Sequence, residues 1–487
     1  MMRTKNLLGT NAVQITLLVI LNLFVGGMVG LERTVLPLVA KQDFGLLNKS
    51  AVLSFIISFG VVKAISNLAA GRIADGIGRR QLLILGWVIG IPVPFTVMLA
   101  PNWYWVIFAN VLLGINQGFC WSMTVNMKID LAGPKYRGLV VGLNEFAGYF
   151  AISITALVSG YIAAAYGVRP QPFYLGIFFA VIGLLMSTFL VHNTHVGHQV
   201  KHTAASSEET SDGSFAVGYP VSSEGSLEGS SEGSSEGSSE GSLEGSLEGS
   251  LEGSLEGSLE GSLEGSLEGS SEGRSPGSVS FVQSFVRTSW QDKQLFSVSQ
   301  AGFMTNFKDG MAWGLFPLFF AGKGLALPSI AVIVAVYPGT WGLLQLISGP
   351  LSDRIGRKWL IVLGMVTQGL SILEIALTHS FSYWLFGAIG LGLGTALVYP
   401  VLIAAASDLS QVHSRASILG VYRFWRDFGY AAGALVSGVL ANVLGISNAM
   451  WAIGVFAIVS GLLVTITLRE PLPRRRSGPA GEKSALY

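Results

Sequence analysis

Ten ionisable side chains of this 487-residue chain lie inside long apolar runs. A charge is costly in such surroundings, so residues of this kind are usually paired or functional. A buried carboxylate can carry a proton, and a buried Lys or Arg can hold an anionic ligand. The ten residues are Glu32, Arg33, Lys63, Glu145, Lys308, Asp309, Glu374, Arg423, Arg426 and Asp427.

Six of these residues are sequence neighbours, namely Glu32 with Arg33, Lys308 with Asp309, and Arg426 with Asp427. Neighbours on a helix point about 100° apart, so we expect them to pair with other helices rather than with each other. Arg423 and Asp427 are four residues apart and are predicted to pair along one helix. Arg426 then needs another carboxylate, for which Glu145 is the first choice.

The location of each charge leaves alternatives open. The charges of Glu32, Arg33 and Glu374 would cost little free energy if these residues lay near a water interface. Arg423, Arg426 and Asp427 lie 8 to 12 residues beyond Arg415, which marks the end of their run, so their main alternative role is a structural lock between helices. Lys63 and Lys308 lie in the middle of their runs and have no obvious local partner.

Two kinds of chemistry follow from these charges. The candidate proton carriers are Glu32, Asp309, Glu145 and Asp427. Asp427 is the weakest of them because neighbouring Arg423 favours its charged form. The candidate ligands for an anionic or carboxylate-bearing substrate are Arg33, Lys308 and Arg426.

The elements that carry these residues are predicted to be membrane-spanning helices. Half of the residues are hydrophobic and only 12% are charged, whereas a soluble domain carries about 25% charged residues. Runs long enough to cross a hydrocarbon core of roughly 30 Å predict an all-α protein with twelve spans. They lie near 12–36, 50–72, 81–100, 104–127, 138–165, 172–192, 294–319, 328–349, 359–378, 383–406, 416–444 and 448–468.

An internal repeat divides the twelve spans into two halves. The decapeptide at 71–80 returns 278 residues later at 349–358, and the same offset places Asp130 on Asp408. It also aligns 137–167 with 415–445, at 11 of 31 identical positions. Such parallel repeats indicate a transport protein with its site between the halves.

The domain boundaries follow from these runs. We predict a six-helix bundle at 1–192, a linker at 193–293, a second six-helix bundle at 294–468 and a tail at 469–487. Lys and Arg concentrate in the loops that contain the repeated decapeptide, which predicts that both termini are cytoplasmic. Cys120 is the only cysteine, which excludes an intramolecular disulfide.

The linker has a composition of its own. Thirteen tandem Ser-(Ser/Leu)-Glu-Gly units run from Ser222 to Gly273. Ser, Glu and Gly supply no apolar core, so the segment is predicted to be a disordered, acidic tether. The alternative is that its regularly spaced carboxylates collect cations or bind a partner.

The decapeptides resemble the loop motif of the major facilitator superfamily, Gly-x-x-x-Asp-x-x-Gly-(Arg/Lys)-(Arg/Lys), which follows helix 2 and helix 8 in that family. The resemblance covers the whole chain except the linker and tails. It implies two six-helix bundles that rock around a midplane cavity. It also implies a monomer in the lipid bilayer that uses a small-molecule or ion substrate, protons and no cofactor.

The resemblance also assigns the motif residues to a cytoplasmic gate. Gly71 and Gly78 permit close packing and a tight turn, and Asp75 is placed to cap the positive N-terminus of helix 11. Arg79 is expected to reach Asp130, and the cluster would break when the bundles rock. The mirror positions are Gly349, Asp353, Gly356, Arg357 and Asp408. The alternative is that these charges only satisfy membrane topology.

The predicted function is therefore a secondary active transporter of a small solute, proton-coupled and located in the inner membrane. A drug-exporter assignment is weakened because Asn110 stands where those exporters carry Arg, and no Pro lies between Gly148 and Gly160. Two alternatives remain: a transporter of a metal cation or metal chelate, and a transport-inactive sensor that signals through the linker. No nucleotide loop, metal motif or nucleophile constellation points to an enzyme, and nothing points to nucleic acid.

Overall fold

The computed structural model describes residues 3–194, 281–411 and 414–471. Within these residues the chain forms twelve long helices and no strands. They are α1 Arg3–Gln42, α2 Ser54–Ile77, α3 Arg79–Leu99, α4 Trp103–Ala132, α5 Gly138–Tyr166, α6 Gln171–Phe189, α7 Lys293–Gly322, α8 Leu327–Ile355, α9 Lys358–Leu377, α10 Phe381–Asp408, α11 Arg415–Leu444 and α12 Ile446–Thr467. The prediction of an all-α protein with six helices in each half is confirmed.

Eleven of the twelve described helices are both long and apolar enough to cross a membrane. The exception is α7, whose 30 residues span about 45 Å at 1.5 Å per residue. Its hydropathy is low because it carries Asn306, Lys308 and Asp309 in its middle. Every residue from 304 to 320 is buried, and so is every residue of α1 from 25 to 40. Protein therefore surrounds the central turns of both helices, which explains how α7 tolerates its charges.

The turn between α4 and α5 differs from the sequence prediction. The backbone is helical throughout Trp103–Tyr166, whereas the predicted spans end near 127 and resume near 138. Thr124 Oγ1 nevertheless lies 3.2 Å from Asn144 Oδ1, and Trp121 Nε1 lies 2.8 Å from Glu145 Oε1. The chain therefore folds back between these contacts, and α4 packs against α5.

Glycines bring α11 unusually close to α7. A Cβ added to Gly433 would lie 1.9 Å from the carbonyl oxygen of Phe307, and one added to Gly429 would lie 2.3 Å from that of Phe303. No larger residue fits at such distances without moving backbone. The close approach sets the middle of α11 beside the charged middle of α7.

The boundary of the linker is shifted from its predicted position. Residues 281–291, placed in the linker by the sequence, are helical: Phe281–Val286 is an α-helix and Arg287–Gln291 a π-helix. We call this segment the junction helix. It packs on α11 through Phe285, whose ring centroid lies 6.1 Å from that of Trp425. The Ser-Glu-Gly repeats and the tail after residue 471 lie outside the described residues.

Candidate functional site

An ion pair joins the two halves at their centre. Arg33 of α1 donates two hydrogen bonds to Asp309 of α7, with N–O distances of 3.3 and 3.0 Å. The side chains are 3% and 1% exposed. The Arg33 guanidinium also lies 5.3 Å from the ring centroid of Trp313. Pairing between helices was expected for both residues, but the alternative that Arg33 lies at a water interface is wrong.

Lys63 of α2 lies beside this pair in an aromatic cage. Its amine is 5.4 Å from the ring centroid of Phe59, 5.5 Å from that of Trp121 and 5.3 Å from that of Tyr430. These rings come from α2, α4 and α11. Among the described residues the Lys63 amine has no hydrogen bond and no carboxylate within ion-pair distance, and the residue is 9% exposed. Cation–π contact with these rings therefore helps to stabilise the buried amine.

A small cavity lies between Arg33, Lys63 and the aromatic rings. Its volume is about 10 Å³, close to the minimum that holds one water molecule. Residues of both halves line it, including Gln117, Tyr149 and Trp313. Gln117 Oε1, Arg33 Nε and Trp313 Nε1 are buried without a hydrogen-bond partner among the described residues. A ligand that entered here would find donors and an acceptor that the protein leaves unused.

The pairing on α11 differs from the sequence prediction. Arg426 donates from Nε and Nη2 to Asp427 Oδ1, at 3.0 and 2.9 Å. Sequence neighbours do pair here, because the long Arg side chain bends back along the helix and overcomes the 100° offset. Asn67 of α2 donates to the other oxygen of Asp427, so this network also connects the halves. Arg426 packs on Tyr399, with its guanidinium 4.9 Å from the ring centroid.

Glu145 and Arg423, the two remaining predicted partners on this site, form no described ion pair with Arg426 or Asp427. Glu145 Oε1 accepts from Trp121 Nε1 at 2.8 Å and from Asn144 Nδ2 at 3.2 Å, so the predicted Arg426–Glu145 pair is wrong. Glu145 Oε2 is buried with no partner among the described residues. Arg423 makes no described hydrogen bond or ion pair, so its predicted pairing with Asp427 is also wrong. The carboxylate of Asp427 is bonded to Arg426 instead.

Glu32 and Lys308 are buried with neutral partners. Glu32 is 1% exposed, lies near the neutral side chain of Asn110, and has one oxygen without a described partner. Its alternative position at a water interface is therefore wrong. The Lys308 amine bonds to the hydroxyl of Tyr337 and, at 2.9 Å, to that of Thr395. Neither residue touches an opposite charge.

Two polar residues that make contacts between helices were missed by the sequence reasoning. Asn67 is neutral and gave no signal among the ionisable residues, although it links α2 to Asp427. Lys128 is fully buried, and its amine donates to the carbonyl of Leu18 at 3.1 Å. Extending the fourth apolar run by one residue beyond 127 would have included Lys128.

The motif charges form pairs within each half. Arg79 bonds to Asp130, joining α3 to α4. In the second half Arg357 lies 3.0 Å from Asp408 and 2.7 Å from Asp353. Both predicted pairs are present, but neither bridges the halves. The expectation that they break when the halves rock stays a prediction.

The halves are in contact on the side away from the motif loops. Ser153 of α5 donates to the carbonyl of Ala335 of α8 at 2.7 Å. At the far end of α11, Asn442 Nδ2 lies 3.0 Å from the hydroxyl of Ser50, just before α2. Closer to the centre, Tyr149 of α5 stacks on Trp341 of α8 with ring centroids 3.5 Å apart. This side of the interface is closed.

Several glycines at the motif ends of the same helices have open space around them. A Cβ added to Gly71, Gly142 or Gly349 would meet no described atom within 4 Å. Asp75 is exposed and accepts no described hydrogen bond, and the side chain of Ser414, the N-cap residue of α11, makes no capping bond. The predicted capping of α11 by Asp75 is therefore not made among the described residues.

Comparisons with known proteins agree with this architecture. The model of the Major Facilitator Superfamily matches residues 18–234 and 298–486. A solved POT family transporter in complex with 5-aminolevulinic acid has a TM-score of 0.64 and 14% identity. The match covers 93% of this chain and 95% of that chain. At that identity the likeness concerns the fold alone.

Two curated relatives match part of the chain. The quinolone resistance protein NorA of Staphylococcus aureus is 22% identical over 189 residues, which are 38% of this chain and 48% of NorA. A probable L-galactonate transporter of Escherichia coli (strain K12) is 27% identical over 135 residues, which are 28% of this chain and 30% of that protein. The chain thus spans about half the length of NorA, 48%. It spans 30% of the second relative.

Proposed function

Because this chain belongs to the major facilitator superfamily, we propose that it is a secondary transporter that carries a small, carboxylate-bearing solute between its two halves. The family makes the chain a multi-pass membrane transporter rather than an enzyme. The observation that carries the choice of solute is Lys63, a buried cation at the interface that has no described hydrogen bond and no described carboxylate within ion-pair distance.

The balance of charge supports an anionic solute. Arg33 is paired with Asp309 and Arg426 with Asp427, whereas Lys63 makes no described ion pair and is contacted by aromatic rings. A carboxylate that reached Lys63 would form a charge-assisted hydrogen bond in a site shielded from water. The surrounding rings offer apolar faces for the body of a small organic acid. The similarity to a probable L-galactonate transporter is consistent with this class of solute.

The separation of the halves supports alternating access. Contacts on the far side, together with open space around Gly71, Gly142 and Gly349, support a state that opens on the motif side. The excess of Lys and Arg in the motif loops supports a cytoplasmic position for that side. We therefore interpret the structure as an inward-facing state of an inner-membrane protein.

Glu32 is our candidate for proton coupling. Glu32 is 1% exposed and touches no described cation, so no ion pair has to break before this carboxylate takes up or releases a proton. Opening of the opposite side would bring water to it and permit release. Asp309, Asp427 and Glu145 are poorer candidates because each accepts at least two described hydrogen bonds.

The solute class is tested by counterflow in proteoliposomes, which does not depend on whether the protein imports or exports. We expect small organic acids to exchange and their matched neutral amides to fail. Lys63→Gln should weaken the affinity for the acid by roughly 10- to 100-fold, as expected for loss of a charged hydrogen bond. Lys41→Gln, which removes an exposed cation, should have no effect. Equal exchange of acids and amides, or normal affinity in Lys63→Gln, would reject the proposal.

A second expectation concerns closure of the motif side. Glu145 and Arg423 occupy equivalent positions, 278 residues apart. They carry opposite charges, interact electrostatically and lack a shared contact. We propose that they meet when the halves close. Trp121 bonds to Glu145 and also contacts Lys63, which would connect the solute to the closure.

Reversal of one of these charges is expected to slow transport by at least about tenfold, because an ion pair of one to several kcal/mol becomes a repulsion in the closed state. The swapped variant, Glu145→Arg with Arg423→Glu, should regain most of the lost rate. Swapping Asp43 and Arg169, whose 2.9 Å pair lies within one half, is the matched control and should leave transport unchanged. Failure of the swap to rescue either single reversal would contradict the pairing.

A further inference from the structure

A cationic pocket lies outside the solute pathway, where α7 begins and α12 ends. Arg287, Lys293 and Arg469 contribute positive charges to its wall, and Asp292 contributes one negative charge. The pocket volume is about 750 Å³. Arg287 and Asp292 are 3.8 Å apart and both about one-third exposed, at 35% and 29%. Two cations therefore remain without a described carboxylate, and the pocket attracts anions.

An apolar groove adjoins the cationic pocket along the junction helix, residues 281–291. Its walls include Trp290, Phe296, Phe303 and Trp425, and its volume is about 170 Å³. Trp425 Nε1 donates to the hydroxyl of Ser289 at 2.8 Å, which fixes the junction helix against α11. A space of this size can accommodate an apolar group as large as benzene, which fits a cavity of about 150 Å³.

The cationic pocket and the groove are arranged like the headgroup and hydrocarbon layers of a membrane. Asp292 caps the first turn of α7, accepting from the backbone N–H of Gln294 and of Leu295 at 3.0 and 3.2 Å. The cations thus lie at helix ends, where lipid headgroups lie. The groove continues along the first turns of α7 toward the hydrocarbon core. Trp290 is 62% exposed at this level, which is typical of Trp at a membrane–water boundary.

A buried hydroxyl points to the same ligand. Ser299 lines the groove, is 5% exposed, and its hydroxyl has no hydrogen-bond partner among the described residues. A purely hydrocarbon occupant would leave this hydroxyl unpaired, which is costly. An ester carbonyl between a charged headgroup and an acyl chain would accept its hydrogen bond.

We propose that the cationic pocket and the groove together bind one anionic phospholipid. Its phosphate contacts Arg287, Lys293 and Arg469, its ester accepts from Ser299, and an acyl chain packs on Phe303 and Trp425. This site is separate from the solute site and does not depend on the proposed solute. Because Trp425 precedes Arg426, a bound lipid would also steady the part of α11 that carries the central ion pair.

The test uses the purified full-length chain, freed of lipid in detergent. Phosphatidylglycerol or phosphatidylcholine with identical brominated acyl chains is added, and quenching of tryptophan fluorescence is measured. We expect phosphatidylglycerol to bind at least about tenfold more tightly, since each Lys or Arg near a membrane surface favours anionic lipid by roughly fivefold. Trp290→Phe removes one of the indoles that line the groove and should reduce the extent of quenching.

Charge variants locate the headgroup. Replacing Arg287, Lys293 and Arg469 with Gln should abolish the preference for phosphatidylglycerol. A control variant with Lys41, Lys323 and Arg354 replaced by Gln has the same net charge as this triple variant. It should keep the preference for phosphatidylglycerol. Equal binding of the two lipids, or an unchanged preference in the first triple variant, would overturn the proposal. So would displacement of the lipid by inorganic phosphate at equal concentration, because an ion site would then suffice.

Discussion

Asp309→Asn is expected to lower the free energy of unfolding by about 3 to 5 kcal/mol, the usual result of leaving one partner of a buried ion pair without the other. Arg33 is 2% exposed and bonds to both oxygens of Asp309. Its cation–π contact with Trp313 cannot replace a carboxylate. Because the pair joins α1 to α7, transport should be lost together with stability.

Cys120 supplies the measurement. It is the only cysteine and is fully buried, so its reaction with a thiol-specific dye reports unfolding. The control is Asp43→Asn, which removes a partly exposed pair with Arg169 and should cost at most about 1 kcal/mol. An Asp309→Asn variant as stable as the wild type would show that the pair does not hold the halves together.

A double variant separates stability from function. Arg33→Gln with Asp309→Asn contains no unpaired charge, so it should regain more than half of the lost stability. If the pair also serves transport, the double variant should fold but remain inactive. Full recovery of transport would restrict the pair to a structural role.

Asp427→Asn is expected to have an effect of similar size, about 3 to 5 kcal/mol. Asp427 is fully buried, and it is the only described carboxylate that contacts Arg426. It also accepts from Asn67 of the other half and, at 3.4 Å, from Asn306. Removing its charge therefore weakens a network that connects α2, α7 and α11.

The rescue experiment identifies the partner. Arg426→Gln combined with Asp427→Asn should restore expression and the dye-reported stability. Glu145→Gln combined with Arg426→Ala should restore neither, because Glu145 is bonded to Trp121 and Asn144 instead. Arg426→Lys should keep only part of the activity, since a point charge replaces a planar fork. Rescue through Glu145 would mean that the pairing on α11 is different in the membrane.

The amino-acid sequence by itself determined the architecture. The length of each apolar run fixes a membrane span, and the repeat at an offset of 278 residues fixes two like halves. The pairing of Arg79 with Asp130, and of Arg357 with Asp408, was also predictable. In both cases the repeat places the partners at matching helix ends within one half.

Only the tertiary structure decided which charges meet at the centre. Arg33 and Asp309 are 276 residues apart, and no local periodicity relates positions on α1 and α7. The cage of Lys63 likewise needs rings from three helices, and its Tyr430 is brought into place by the glycine contacts between α11 and α7. Partner choice depends on which helix faces approach each other and on how far a side chain such as Arg426 can bend. Hydrophobic patterning sets neither, because it reports burial and not the identity of the neighbour.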